Sequence, residues 1–348
     1  MNLDIGLVLL QDGLTNGAIY LLLGLALVLV FSVTRVLFLP QGEYVCVGAL
    51  GYALLLKGQL PGSVWMLLGL GGLAFVCDAV VAARRGRRAG LGASALQNLA
   101  LPLGLLALAW LALKAGAPAP LLALLAVALV VPMGPMVYRL AFAPVAHASV
   151  LTLMIIAVAV HFMFVGLSLI FFGPEGMRVP ALIDGTLVLG DLIVTAHSLL
   201  VAASAAVVVV ALYLLFDRTL YGKALRATAV SRTGARLLGI RTHQAARLAF
   251  ALAAGIGALC GVLLISLTTV YYDSGLAIGM RGFIGAVIGA LVSFPVTAIG
   301  ALFVGVVDSF AAFFVSALKD ATLFLSILPV LLYLSLRRIN VHAHEENE

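Results

Sequence analysis

The stretch GMRGFIGAVIGALVSFPVTAIGALFVG, residues 279–305, decides how the rest of the chain is read. It is apolar enough for hydrocarbon, yet Ser293, Phe294 and Pro295 interrupt it near the middle. Proline has no N–H to give a helix and disfavours helical backbone at the residue before it. The tract therefore reads as two half-helices meeting inside a membrane. Backbone broken at that depth is tolerated only where it faces protein or a water-filled cavity, so the break also marks a candidate pathway. Gly285 and Gly289 stand four apart, as do Gly13 with Gly17 and Gly257 with Gly261. That spacing puts both glycines on one helix face and lets backbones approach closely, which reads as packing within one bundle, with a dimerisation motif as the rival.

Composition agrees with a lipid solvent. The chain is 64% hydrophobic and only 10% charged, far below the roughly 25% charged of soluble domains. Its net charge of +6 does not point to nucleic acid, because the cations sit in short clusters between apolar runs rather than along one basic face. Cys46, Cys77 and Cys260 each lie in an apolar run, an odd number at unrelated spacings that makes neither a disulfide framework nor a metal site. The start, MNLDIGLVLLQDG, carries Asp4 and Asp12 and no cationic lead, so the first apolar run is expected to stay in the mature protein.

Crossing ~30 Å of hydrocarbon takes about 20 apolar residues in a helix. Strand-like alternation is absent, and the apolar runs predict an all-α polytopic bundle forming one domain over 1–348. The segments fall near 5–33, 42–56, 63–83, 94–114, 119–138, 145–172, 191–216, 245–270, 281–293, 296–316 and 320–336; of these, 42–56 and 281–293 are too short to span comfortably. About 9 to 11 segments are thus expected, the short and broken ones included. Lys and Arg stay preferentially on the cytoplasmic side. With the N-terminus outside, that side receives Arg35, the RRGRR run (Arg84, Arg85, Arg87, Arg88), Arg139, the cations from Arg218 to Arg247, and Arg337 with Arg338. Only Lys57, Lys114, Arg178, Arg281 and Lys319 of the 20 fall outside. The C-terminal VHAHEENE is then a short, solvated cytoplasmic tail.

Few residues inside the expected membrane carry chemistry. Glu43 follows Gln41 and Gly42 at the start of a short segment, where its carboxylate is costly unless solvated, protonated or capped. It reads either as an N-terminal cap that pins a broken helix or as a pathway residue. Asp308 reads as partnered in the bundle or lining the same cavity. Asp78 is expected to reach the interface beside Arg84 or Arg85. Thr15 and Asn16 read as packing residues that could also face a polar route. His161 reads as a hydrogen-bonded core residue, with a proton relay as the rival. No phosphate loop, H-E-x-x-H or G-x-S-x-G occurs, so the chain has no usual means of cradling ATP and no hydrolase signature.

One strip breaks the oily pattern: YGKALRATAVSRTGARLLGI, residues 221–240. Lys223, Arg226, Arg232, Arg236 and, just beyond, Arg241 alternate with Ala224, Leu225, Leu237 and Leu238, while Gly222, Gly234 and Gly239 divide it. Glycine is favoured just past helix ends, so two short helices near 223–231 and 233–238 are expected. Such a loop lies on anionic lipid or docks into a protein groove.

Several stretches together resemble one family. LTNGAIYLLLGLALVLVFSVTRVLFLPQGEYVCVGALGYALL (14–55), RLAFAPVAHASVLTLMIIAVAVHFMF (139–164), FFGPEG (171–176), the basic strip and GFIGAVIGALVSFPVTAIGALFVGVVDS (282–309) are similar, in that order, to permease subunits of the high-affinity branched-chain amino acid ABC importers. The resemblance covers 12–56 and 136–337. It implies a permease subunit in the plasma (inner) membrane that is not itself an enzyme and holds no cofactor. ATP and Mg would sit on partner ATPase subunits, with a second permease, homologous or identical, and an extracytoplasmic binding protein completing the importer. It assigns 217–244 as a cytoplasmic coupling loop, with Gly222, Lys223, Ala224, Arg226, Arg232, Gly234, Arg236 and Gly239 meeting the ATPase. The broken segments bearing Gln41, Gly42, Glu43, Ser293 and Pro295 would alternate access. Gln41 stands where the family usually has His, and 60–135 reads as an insertion of two extra helices, serving an accessory partner or lipids. Urea or short-amide import, and proton-coupled transport through Glu43 or Asp308, are the rival functions.

Overall fold

The computed structural model describes residues 3–84, 91–189, 192–326, 328, 329 and 332. The described part is carried by α1 (Leu3–Thr34), α2 (Gln41–Leu56), α3 (Gly62–Arg84), α4 (Gly92–Lys114), α5 (Ala119–Val145), α6 (Val150–Phe172), α7 (Ala196–Arg218), α8 (Leu220–Val230), α9 (Arg232–Leu237), α10 (Thr242–Leu264), α11 (Gly275–Ile288) and α12 (Phe294–Phe314), and residues 319–326 are also helical, within the last expected segment. Among the described residues eight helices, α1, α3 to α7, α10 and α12, are long and apolar enough to cross a membrane. The 16 residues of α2 and the 14 of α11 fall short, as expected for the two segments flanking the breaks. The Arg85, Arg87 and Arg88 cluster, Arg337, Arg338, the C-terminal tail and part of the 320–336 segment lie outside the described residues.

Layering follows from where small residues permit close approach. α1 is the axis of the bundle, with 89% of its most apolar window buried. It lies against α12 at Gly13 and Gly17, where a Cβ would stand 2.7 Å from Val306 Cα and 3.0 Å from Leu302 Cα. Carbon contacts prefer about 3.5–4.0 Å, so this approach requires glycine. The Gly257/Gly261 face of α10 meets Tyr44 and Val45 of α2, and Gly285 meets Ala301. All three glycine pairs thus pack within the chain. Outside this core, α3, α4, α6 and α7 present rows of exposed Leu, Val, Ile and Trp, such as Trp65, Leu108 and Val207, as lipid-facing helices do.

Several boundaries differ from expectation, among them the end of α10 at Leu264 rather than 270 and the span of α11, Gly275–Ile288 rather than 281–293. β1 (Thr186–Leu189) pairs antiparallel with β2 (Leu192–Thr195), Thr186 opposite Thr195, and β2 falls within a stretch where helix was expected. The run Leu192-Ile193-Val194-Thr195 is mostly β-branched and favours the extended chain. Helix begins only at Ala196, where Thr195 Oγ1 accepts from Ser198 N at 3.2 Å. Likewise α5 continues to Val145 rather than stopping near 138, and α6 starts behind Ser149, whose Oγ accepts from Thr152 N.

Helix ends sort onto two opposite faces. One gathers Leu9 to Asn16 of α1, Ser198 of α7, Leu267 after α10 and Asp308 to Phe313 of α12. The other gathers the far ends of α1 and α7, together with α8 and the start of α12.

Candidate functional site

The break before α12 is built from backbone. Ala290 and Leu291 both take left-handed φ, 52° and 57°, which costs a non-glycine residue roughly 1–2 kcal/mol. In return, Leu291 N bonds Ala286 O and Ala290 N bonds Val287 O, both at 2.8 Å, closing the end of α11. Ser293 then caps α12, its Oγ accepting from Val296 N at 3.5 Å, with Pro295 in the first turn where no N–H is needed.

The other short helix begins at Gln41 in the bundle interior. Gln41 Nε2 donates to Ala253 O at 2.8 Å, tying α2 to α10. Gly42 lets α11 approach so closely that a Cβ would overlap the Gly275 carbonyl oxygen. Glu43 is fully buried, and its Oε1 lies 2.9 Å from His161 Nδ1 of α6. Among the described residues, Glu43 Oε2 and Gln41 Oε1 have no hydrogen-bond partner. The capping alternative for Glu43 is corrected: α2 has no side-chain cap. A carboxylate at this position caps by accepting from the N–H of the residue before the helix, and that residue is Pro40, which has none. His161 is a hydrogen-bonded core residue as expected, and its partner is Glu43.

Asp308, also buried, is partnered from three sides. Tyr20 donates its hydroxyl to Oδ2 at 2.7 Å, Lys319 Nζ lies 3.3 Å from Oδ1, and Arg281 Nε lies 3.9 Å away. Arg281 also reaches Asp320 at 3.4 Å, so two carboxylates face two cations. Beside them opens a cavity of about 460 Å³ lined by Asp12, Thr15, Asn16, Ser198, Asp308, Ser309 and Lys319. Thr15, Asn16 and Asp308 thus share one polar space, while Gln41, Gly42 and Glu43 form a separate buried group. Sequence reasoning missed Asp12, Tyr20 and Lys319. The only signal was that Asp12, Thr15 and Asn16 fall on one helical face.

Asp78 does not pair with Arg84. It accepts from Arg139 of α5 and Ser94 of α4, and Asn98 Nδ2 lies 3.4 Å away. Arg84 is exposed at the end of α3, whereas Arg139 comes from a neighbouring helix and meets the half-buried Asp78.

The basic strip forms two capped helices. Thr219 Oγ1 accepts from Gly222 N at 3.0 Å, and Ser231 Oγ from Gly234 N at 3.1 Å. The glycines therefore do not divide the strip as expected. Gly222 and Gly234 sit inside α8 and α9, the break is made by the cap Ser231, and only Gly239, at φ 78°, ends a helix. Gly222 instead permits the sharp α7–α8 turn, since a Cβ would stand 2.6 Å from Phe216 Cα. Arg232 is half-buried and donates to Val33 O at 3.0 and 3.2 Å and to Ala146 O at 3.3 Å, fixing α9 to the end of α1 and the α5–α6 turn. Desolvation, aided by the charges of Arg236 and Arg35, pulls its pKa below the ordinary arginine value; an arginine stays charged regardless. Lys223, Arg226 and Arg236 are exposed and Ala224 is half-buried. Around them Val230, Leu237 and Leu238 are at least 80% exposed, an apolar and basic knuckle on a fixed base.

Among the described residues no cluster of three metal-ligating side chains occurs. Residues 95–336 match the family described as the branched-chain amino acid transport system permease component. The high-affinity branched-chain amino acid transport system permease protein LivH is 28% identical over 203 residues in both Salmonella typhimurium and Escherichia coli K12, covering 56% of this chain and 65% of each relative. The BraD permease of Pseudomonas aeruginosa is 29% identical over 162 residues, 44% of this chain and 53% of the relative. The chain therefore aligns with less than two thirds of these relatives' length. No solved structure matches. With 95–336 matched out of 348 residues, this multi-pass membrane chain belongs to the branched-chain amino acid transport system permease family.

Proposed function

We propose that the chain is the membrane-spanning permease subunit of an ATP-binding cassette importer for branched-chain or related amino acids, in the plasma (inner) membrane. The observation that carries this reading is the knuckle of α8 and α9. Its outer side exposes Val230, Leu237, Leu238, Lys223 and Arg236, the mixture a protein groove recognises, while Arg232 bolts its inner side to the ends of α1 and α5. A push from a docked ATPase would pass directly into the bundle axis. ATP and Mg would be held by that ATPase, and this chain would contribute no catalytic residue.

In this reading the knuckle is cytoplasmic and the N-terminus outside, as the Lys and Arg distribution favours. The polar cavity at Asp12, Thr15, Asn16 and Asp308 then opens on the outer face. It offers carboxylates and an ammonium, matching a solute that carries both charges. The non-helical break at Ala290–Ser293 and the packing of Gly42 on Gly275 are where α11 can shift, with Glu43 held to His161 as a latch. The region 60–135, of which the family match takes in the part from residue 95, would be an added unit anchored through Asp78 to Arg139. A second permease and an extracytoplasmic binding protein complete the assembly.

Proteoliposomes test it. The chain with ATPases, a partner permease and a binding protein should accumulate radiolabelled leucine on ATP addition, and the chain alone should not. Uphill uptake by this chain alone under a pH gradient would replace the reading with proton coupling through Glu43 or Asp308. Competition by urea but not by leucine would reassign the solute.

A further inference from the structure

A second cavity, of about 700 Å³, lies between α1, α7, α8 and the break before α12. Its wall along α7 is Val209, Leu212, Tyr213 and Phe216, spaced i, i+3, i+4 and i+7, one continuous apolar stripe about 10 Å long. Leu25 of α1 and Phe294 and Ala298 of α12 face it. Among the described residues, the only charges in the lining are Arg35 and Arg226. Arg35 donates to Ala229 O at 3.3 Å, one turn along α8 from Arg226, so the two cations stand at the same mouth. Neither is in an ion pair among the described residues.

Chemistry selects the occupant. A free amino acid needs a partner for its ammonium, and this lining has no carboxylate. A bare anion would use the arginines and leave the apolar stripe unfilled. An amphiphile with an anionic head and a hydrocarbon tail satisfies both, and the arginines follow the ends of two membrane-crossing helices, α1 and α7, at the depth of lipid headgroups. We propose that this groove binds an anionic phospholipid, its phosphate held by Arg35 and Arg226 and one acyl chain lying along Val209, Leu212, Tyr213 and Phe216. The same lipid would touch Leu225 and Ala229 of α8 and Pro295 at the break, bridging knuckle and broken helix. The binding itself rests only on the chain's place in a membrane; its bearing on transport rests on the proposed function.

Native mass spectrometry of the purified chain, titrated with phosphatidylglycerol or phosphatidylcholine, tests the site. The wild type should retain phosphatidylglycerol at least ten-fold better. Arg35→Gln with Arg226→Gln should bring it to the phosphatidylcholine level, and Ala298→Trp, which fills the groove and keeps both cations, should also lose it. Equal retention of the two lipids, undiminished retention by these variants, or displacement by inorganic phosphate or by leucine at equal concentration would overturn the proposal. Should the variants not fold, phosphatidylglycerol with a photoreactive acyl chain decides on the wild type. Adducts at Leu212, Tyr213 or Phe216 support the site, and adducts confined to other helices overturn it.

Discussion

Replacing Gly42 by alanine is the sharpest perturbation of the contact between the two short helices. The new Cβ would overlap the Gly275 carbonyl oxygen and stand 2.6 Å from its carbon and 3.0 Å from Gly279 N. All three are backbone atoms of α11, so no rotamer relieves the clash, and α2 must retreat by roughly 1.5 Å to reach ordinary contact distance. Overpacking of this kind costs about 1–3 kcal/mol. The retreat also pulls Glu43 from His161, 2.9 Å away, and leaving a buried polar group unpartnered costs about 1–3 kcal/mol more. Against this stands a helix-propensity gain of about 0.5–1 kcal/mol. Gly69→Ala is the control: nothing lies within 4 Å of its Cβ, so it has the gain alone. In detergent, thermal unfolding should place Gly42→Ala several degrees below wild type and Gly69→Ala at or above it, since 1 kcal/mol shifts a midpoint by about 2–4 °C in chains of 150–250 residues. Coincident midpoints for the two variants would refute the close packing of α2 on α11.

Arg232→Ala removes the guanidinium shared by the Val33 and Ala146 carbonyls. With half-exposure discounting the usual 1.5–3 kcal/mol of a charged hydrogen bond, a loss of about 2 kcal/mol and faster proteolysis between α8 and α10 are expected. Arg232→Lys should not restore the wild type, because one ammonium does not bridge both carbonyls as a forked guanidinium does. Asp308→Asn leaves the half-buried Lys319 without its carboxylate and Arg281 with Asp320 alone, and should cost about 1–3 kcal/mol, read as a lower midpoint and faster acylation of Lys319. Leu237→Ala with Leu238→Ala should leave the midpoint unchanged, both side chains being at least 80% exposed. It should reduce ATPase co-purification at least ten-fold.

The sequence made legible what depends on neighbours along the chain. Pro295 announced the broken helix, apolar run lengths gave the helices, and glycines four apart gave the packing faces. The left-handed pair Ala290 and Leu291 was not legible, since neither residue type favours that conformation. In the basic strip the glycines drew the reading, although Thr219 and Ser231 were the stronger local signals, because a hydroxyl can accept from the free N–H groups of a first turn. The polar partnerships were hidden by distance: Glu43 with His161 spans 118 positions, and Tyr20 with Asp308 spans 288. An acidic residue in an apolar run says that a partner is needed without saying which one.

In the proposed importer a separate motor grips the knuckle of α8 and α9 from the cytosol, and cysteine labelling reads out which side of the membrane that knuckle faces. Cys46 and Cys260 are buried and only Cys77 is exposed, so Leu237→Cys in a Cys77→Ser background carries one reactive thiol. A membrane-impermeant maleimide should label it in inside-out vesicles, and added ATPase subunit should protect it. Labelling from the outer medium of intact cells would place the knuckle outside, and labelling of vesicles that the ATPase leaves unchanged would rule out docking there.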